Sequence, residues 1–168
     1  MGQFNLWLPR KIGTPFKPKP DLILPNIVPL EGQDEFLRML FRDDSNIAGG
    51  GNFYIGLCTN ALTDYANVLT DITELTSAGG YAREAITRDL TGWPTLTTVN
   101  NRKLIRSLVV NFAATGADFS AAFVRMFLTD VASGTAGVLY AISGAFAPAI
   151  LVENGLDINV QYEFFLPQ

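Results

Sequence analysis

Alternation of apolar and polar residues is clearest near the C-terminus, directly after Asn154-Gly155, a dipeptide that favours tight turns. From Leu156 to Leu166 every second residue is apolar, which is typical of a strand with one buried and one solvated face. Five earlier runs also have strand character: Phe53 to Cys58, Tyr81 to Arg88, Lys103 to Ala113, Ala121 to Thr129 and Gly137 to Ser143. Turn-forming residues separate these runs, so we predict a mainly β chain that folds as an antiparallel β-sandwich or jelly-roll-like domain. The polar stretch from Thr59 to Ser77 is predicted to be a long loop with room for a helical turn.

Helical spacing occurs in one segment, at about residues 30–42. Pro29 suits a first helical turn, and the segment is acidic at its start and basic at its end, an order that the helix dipole favours. One side holds Leu30, Phe36, Leu37, Leu40 and Phe41, and the other holds Glu31, Glu35, Arg38 and Arg42. We therefore predict a surface helix that packs its apolar side on the core.

Residues 1–29 are of a different kind, because they hold six of the nine prolines. Proline fixes φ and lacks an amide donor, so we predict an extended arm that is neither helical nor inside a sheet, followed by a single β-rich domain over residues 30–168. The arm is too apolar for a solvated linker and must pack on a surface. Two interpretations stay open: the arm covers its own domain, or it is a tether laid over a neighbouring subunit. The residues expected at that interface are Phe4, Trp7, Arg10, Lys11, Phe16, Lys17 and Lys19.

Charge is divided unevenly along the chain. Residues 1–20 carry four basic side chains and no acid, whereas residues 21–168 carry eight basic and sixteen acidic side chains, a net charge of −8. The arm is therefore expected to be attracted to an acidic surface, either its own body or that of a neighbour. Nucleic acid is the competing partner, and it is not expected because phosphate would repel the acidic body.

Charged residues make up 17% of the chain, against about a quarter in ordinary soluble domains, so part of the surface is expected to be covered in an assembly. Residues 131–152 lack charge, but glycine, serine and proline interrupt them, so we predict two strands and a turn in place of a membrane span. The first residues contain no basic segment followed by an apolar core, so no signal peptide is expected. Cys58 lies in an apolar run and is expected to be a buried thiol in a reducing compartment.

Histidine is absent, which removes the commonest general base and the commonest metal ligand. One cysteine makes no thiolate cluster, and Asp43 and Asp44 lack the spacing of a calcium loop. The glycine run 49–51 lacks the Gly-Lys-Ser/Thr ending of a phosphate-binding loop. We therefore expect no catalytic residues, no metal and no cofactor. A small basic cluster is expected to be solvated or to form ion pairs at an interface: Arg102, Lys103 and Arg106.

Three motifs stand out: Ile27 to Asp34 (IVPLEGQD), Phe53 to Leu57 (FYIGL) and Ala78 to Arg83 (AGGYAR). Together with the later run Gly137 to Gly144, they resemble a family of small structural proteins of tailed phages over roughly residues 27–166. The resemblance implies a short helix, a β-rich C-terminal half and a virion subunit without catalysis. In the third motif, positive φ is expected at Gly79 and Gly80, a ring on the sheet at Tyr81, and a carboxylate partner for Arg83.

The sequence thus predicts a non-enzymatic accessory structural protein of a tailed-phage virion, made in the host cytoplasm and tethered by its arm to neighbouring subunits. Capsid decoration as a cement protein on the major capsid protein and a place among portal, collar or tail proteins both stay open, and a homo-oligomer is expected. The alternative is a receptor- or carbohydrate-binding module of a tail fibre, in which Trp93 would be a sugar platform.

Overall fold

A computed structural model describes residues 2–12, 14, 19–41, 51–60, 62, 65–99 and 102–165, with the side chains of 37–41 and 102 left out. The described chain forms one helix, α1 (Leu30–Phe41), two short 3₁₀ turns and ten strands. The strands are β1 (Gly2–Lys11), β2 (Leu22–Ile27), β3 (Asn52–Cys58), β4 (Glu84–Thr87), β5 (Thr95–Val99), β6 (Arg102–Arg106), β7 (Val110–Ala113), β8 (Arg125–Thr129), β9 (Leu139–Ser143) and β10 (Leu156–Phe165). All pairings are antiparallel, in the order β4-β3-β8-β9-β2-β1-β10-β6-β5, with β7 also paired to β10.

The prediction of a mainly β chain with one helix is confirmed. Two facing sheets, as in a sandwich or jelly roll, are not confirmed, because the ladder is continuous through β2 and the sheet curls into a half-barrel. The 3₁₀ turn Leu69–Asp71 lies in the predicted loop, and Cys58 is fully buried as expected. Residues 131–152 hold one named strand, β9, where two were predicted. No described helix is long and apolar enough to cross a bilayer.

The N-terminal segment departs most from the sequence predictions. β1 lies between β10 and β2, so the prediction that prolines keep residues 2–11 and 22–27 out of a sheet, in an arm apart from the domain, is wrong. Pro9 lies at the shift in register with β10, between Trp7 and Arg10, where it has no partner residue. The lack of an amide donor at Pro9 therefore removes no hydrogen bond from the β1–β10 ladder. Pro25 needs only its carbonyl, which accepts a hydrogen bond from the amide of Gly144. Prolines at these positions are compatible with a central strand.

β1 is held from both of its faces. On the inner face the Phe4 and Tyr162 rings lie 4.8 Å apart in an edge-to-face contact. On the outer face the Gln3 amide donates to the Glu163 carboxylate at 2.7 Å. A slip of one residue would exchange these faces, so the alternation fixes the register of β1 on β10. Phe4 and Trp7 are therefore buried in the chain's own domain, and their prediction as interface residues is wrong for the described fold.

The core fills the inside of the curl, and α1 lies beside β9. The Phe36 ring lies 5.5 Å from the Tyr140 ring and 5.5 Å from the Phe164 ring. The predicted orientation of the helix is wrong at two positions, since Leu30 is 59% exposed and Glu35 only 2%. The reason is the close approach at Gly32, where a Cβ would lie 2.8 Å from the Leu139 carbonyl oxygen. Glu35 is one turn from this contact and turns inward with Phe36. Arg42, at the predicted helix end, lies outside the described residues.

The placement of β1 predicts a contrast between two leucines of that strand. Leu6→Ala should lower the free energy of unfolding by about 2–5 kcal/mol, because Leu6 is fully buried and its loss leaves a cavity. Leu8→Ala is the control, since Leu8 is 40% exposed, and should cost less than about 1 kcal/mol. Urea unfolding measures both. Equally small losses would contradict a central β1.

Candidate interaction site

β5 is one of the two outermost strands of the described sheet, with β4 at the other end, and one edge of β5 is paired. Its residues pair in register with β6, from Thr95 opposite Arg106 to Val99 opposite Arg102. Among the described residues, no strand pairs with its other edge. Unpaired amides and carbonyls along an edge are a template for another strand.

The side chains of β5 do little to prevent such pairing. Leu96 is 71% exposed, Val99 is also exposed, and the other three residues are threonines. Soluble proteins commonly blunt an edge with charge or proline, and β5 has neither. Among the described cations of β6, Lys103 donates from its ammonium to the Thr98 hydroxyl at 3.0 Å, and Arg106 lies directly opposite Thr95. β5 therefore combines an open backbone edge with an uncharged surface of threonine and aliphatic side chains.

Leu96 ends an apolar row that crosses three strands. It lies directly opposite Ile105 on β6, and Ile105 lies opposite Phe164 on β10. Directly opposed side chains project from the same face of a sheet. Phe164 shares its face with Tyr162, two residues earlier, whose side chain is part of the core. The row therefore leads from the core to the exposed edge.

A cleft of about 450 Å³ opens beside this row. Aromatic and aliphatic side chains from α1, β3, β6, β10 and the loop after β4 line it, among them Phe36, Phe53, Trp93, Ile105 and Phe164. Trp93 is half-buried and meets Phe53 edge-to-face at 5.9 Å, so its ring is part of a wall and not an exposed platform. The arrangement suits apolar groups.

The loop between β4 and β5 is fixed by Asp89. Its carboxylate accepts hydrogen bonds from the Thr91 hydroxyl and amide, at 2.6 and 2.8 Å, and from the Gly92 amide at 2.9 Å. These donors, the Thr91 hydroxyl above all, lower the pKa of Asp89, so the carboxylate stays ionised. A Cβ at Gly92 would overlap the Thr87 carbonyl, which favours glycine there. Asp89 thus holds the loop that leads into β5.

The residues predicted as a structural motif form a separate cluster. Gly79 and Gly80 have φ of 66° and 79°. The Tyr81 hydroxyl accepts the Leu57 amide at 2.8 Å and donates to Glu74 at 2.8 Å. Arg83 donates to both oxygens of Glu74, at 2.9 and 2.7 Å, and to the carbonyls of Val131 and Gly134, each at 2.8 Å. Arg83 therefore ties the segment after β8 to the segment before β4.

Two of the other predicted cations form ion pairs within the chain. Arg10 Nε lies 3.7 Å from Asp157 Oδ1, so the attraction between a basic N-terminus and an acidic body operates inside one subunit. Arg106 pairs with Glu163. Lys11 and Lys19 are exposed. Outside the described part lie the arm residues Phe16 and Lys17, the acids Asp43 and Asp44, the glycines at 49 and 50, and the side chain of Arg102.

Some of the described acidic side chains serve as hydrogen-bond and ion-pair partners between strands. The described part of the chain contains no group of three or more Cys, Asp or Glu placed to hold a metal ion. Glu163, a buried acid, is bonded to Gln3 and Arg106, and Asp157 is bonded to Asn111. These carboxylates hold strands together.

Sequence patterns miss β5, although two signals point to it. Thr95–Val99 (TLTTV) is made mostly of β-branched residues, which are enriched in strands. Two residues separate it from β6, which is the spacing of a tight hairpin. The strand lacks the apolar alternation seen in β10, because neither of its faces is buried.

No protein-family model matches this chain, and neither a curated protein nor a solved structure does.

The Arg83 cluster predicts a large stability effect. Arg83→Met should lower the free energy of unfolding by about 2–4 kcal/mol, because a side chain that is 3% exposed loses four hydrogen bonds and leaves Glu74 without its cation. The exposed Arg88 is the control, and Arg88→Met should cost less than about 1 kcal/mol. Denaturant unfolding compares them, and equal stability of the two variants would rule out the structural role of Arg83.

Burial raises the pKa of the Cys58 thiol to about 12. Since the thiolate is the reactive form, the thiol should be inert at pH 8 while the chain is folded. We expect Ellman's reagent to label the native protein negligibly and to label one thiol per chain in urea. Prompt labelling of native protein would contradict the burial of Cys58.

Proposed function

We propose that this chain is a non-enzymatic structural subunit that enters a larger assembly by pairing its edge strand β5 with a strand of a neighbouring subunit. The observation that carries the proposal is the open, uncharged edge of β5, with Leu96 at the end of an apolar row. A strand added there would satisfy the backbone groups of that edge and cover Leu96.

The energetics favour a role within an assembly of many contacts. Covering a leucine side chain gives about 1.5–3 kcal/mol, and each new backbone hydrogen bond adds roughly 0.5–1.5 kcal/mol. Association costs about 4–15 kcal/mol in lost freedom of the partners. A five-residue strand alone therefore gives weak pairing. Repeated copies held together in a particle would raise the effective concentration enough for the contact to persist.

We further propose that the assembly is a tailed-phage virion, in which the chain is an accessory protein of the capsid, collar or tail and other virion proteins are its partners. The resemblance of the motifs at residues 27–34, 53–57 and 78–83 supports this placement. The third motif is consistent with a structural role, since Tyr81 and Arg83 are bonded to the protein itself. Synthesis in the host cytoplasm belongs to the same proposal.

A sandwich-like arrangement remains our proposal for the finer architecture. Leu6 and Val160, from β1 and β10, share one core cluster with Ile55 and Met126, from β3 and β8. These pairs come from the two halves of the sheet order. Just two residue pairs join β2 to β9, so the halves are loosely linked and can face each other across that core.

A receptor- or carbohydrate-binding module is the second candidate, and the cleft favours it. Its volume of about 450 Å³ falls within the roughly 300–1,000 Å³ of small-molecule sites. Sugars need several polar partners, however. Two charged residues line this mainly apolar cleft: the Asp89 carboxylate is engaged by its own loop, and the Arg88 guanidinium lies over the Phe53 ring at 5.6 Å. The assembly proposal predicts that the parent chain gives no specific signal on a glycan array. A signal that is lost in the Trp93→Ala variant would favour the carbohydrate-binding module.

Incorporation into particles tests the proposal. In a phage that encodes this chain, quantitative mass spectrometry of purified particles should find the parent chain, and Leu96→Lys should reduce its copies about ten-fold, because a charge blunts the edge. Ile23→Lys is the control, since it charges an exposed isoleucine on β2. Circular dichroism establishes that both variants fold. Particles without the parent chain would contradict the virion role, and full incorporation of Leu96→Lys would contradict the role of β5.

A further inference from the structure

We infer that the strand that pairs with β5 is β5 of a second copy of this chain, related by a two-fold axis at Thr97. The inference rests on the proposed function, in which β5 is the assembly edge. It identifies the partner of that edge as a second copy of the chain.

The sequence of β5 fits its own copy in one register. Antiparallel pairing centred on Thr97 sets Thr97 opposite Thr97, Leu96 opposite Thr98, and Thr95 opposite Val99. This register alone uses all five residues of both strands. Opposed threonines are favourable neighbours, and no residue of β5 is charged, so no charge meets a like charge across the new ladder.

The same register brings the exposed leucines of the two copies together. The two copies of Leu96 project from one face, at diagonal positions across the new pair. Diagonal neighbours lie about 7–8 Å apart, within reach of long side chains. The row of Phe164, Ile105 and Leu96 in one copy would then meet the same row of the other. The exposed apolar side chains at the two sheet edges would then lie next to each other.

The described charges on the β5–β6 hairpin oppose the pairing only weakly. Lys103 lies opposite Thr98, so the two copies of Lys103 would fall in different cross-strand rows. The Lys103 ammonium donates to the Thr98 hydroxyl on β5, and the two copies of Thr98 would be diagonal neighbours, so the two ammonium groups would lie about 7–8 Å apart. Two like charges at that distance in water repel by roughly 0.5 kcal/mol, less in physiological salt, so the repulsion weakens the pairing without preventing it. Arg106 is already paired with Glu163. Closed two-fold dimers are also the commonest symmetric assemblies.

Cysteine cross-linking of the full chain tests the axis. Opposed residues of an antiparallel pair have Cα atoms about 4.5–5.5 Å apart, inside the disulfide range of about 4.4–6.8 Å. Thr97→Cys should therefore give a covalent dimer on mild oxidation, seen on a non-reducing gel. The native Cys58 is fully buried and does not compete.

Two further variants fix the register. In Thr95→Cys alone or Val99→Cys alone, the two thiols would lie about 13 Å apart along the strand, so each should give about ten-fold less dimer than Thr97→Cys. A mixture of Thr95→Cys and Val99→Cys should cross-link, because those positions oppose each other. Equal cross-linking of all three single variants, or no dimer from folded Thr97→Cys, would overturn the inference.

The outcomes separate this inference from the proposed function. If Thr97→Cys stays monomeric while Leu96→Lys is lost from particles, β5 pairs with a different virion protein, and only the inference fails. If the predicted cross-links form and particles lack the chain, the two-fold pairing stands and the virion role fails.

Discussion

The pairing of β1 with β10 is the constraint on which the rest of the sheet depends. β10 pairs with β1 along one edge and with β6 and β7 along the other, and β1 carries β2, which reaches β9. Without β1, the described sheet order would divide into two parts. The strand is held by burial of Phe4 on one face and by the bond of Gln3 to Glu163 on the other. Arg10 beside Asp157 adds the charge attraction that the sequence suggests.

With β1 central in the described sheet, the unpaired edges of that sheet lie elsewhere. Because β1 and β2 are used inside the domain, they offer no free strand to a neighbour in this fold. A closed barrel would have no edge at all. In this sheet β4, at one end, contacts β7. β5, at the other end, pairs with β6, and no described strand pairs with its second edge. The geometry thus leaves β5 as the edge with an exposed apolar residue, and the cleft lies on the same face of the sheet as Leu96.

The elements that the sequence predicted are those with a regular hydrophobic pattern within the segment itself. β3 and β10 follow from apolar runs and alternation, and the helix follows from its spacing and charge order. Proline statistics misassigned β1, because they do not show that Pro9 falls at a register shift. Glu35 is buried because of Gly32 and its contact with β9, which helical spacing does not reveal. The row of Leu96, Ile105 and Phe164 depends on the register of three strands, so it emerges only in the folded chain.

Hydrogen exchange of the full chain, followed by mass spectrometry at two protein concentrations about 100-fold apart, tests the central claim most directly. The account predicts that β1 is protected equally at both concentrations, and that exchange in β5 slows at the higher one while β4 is unchanged. Concentration-dependent protection of β1 with no change in β5 would contradict it, and would assign assembly to the N-terminal segment.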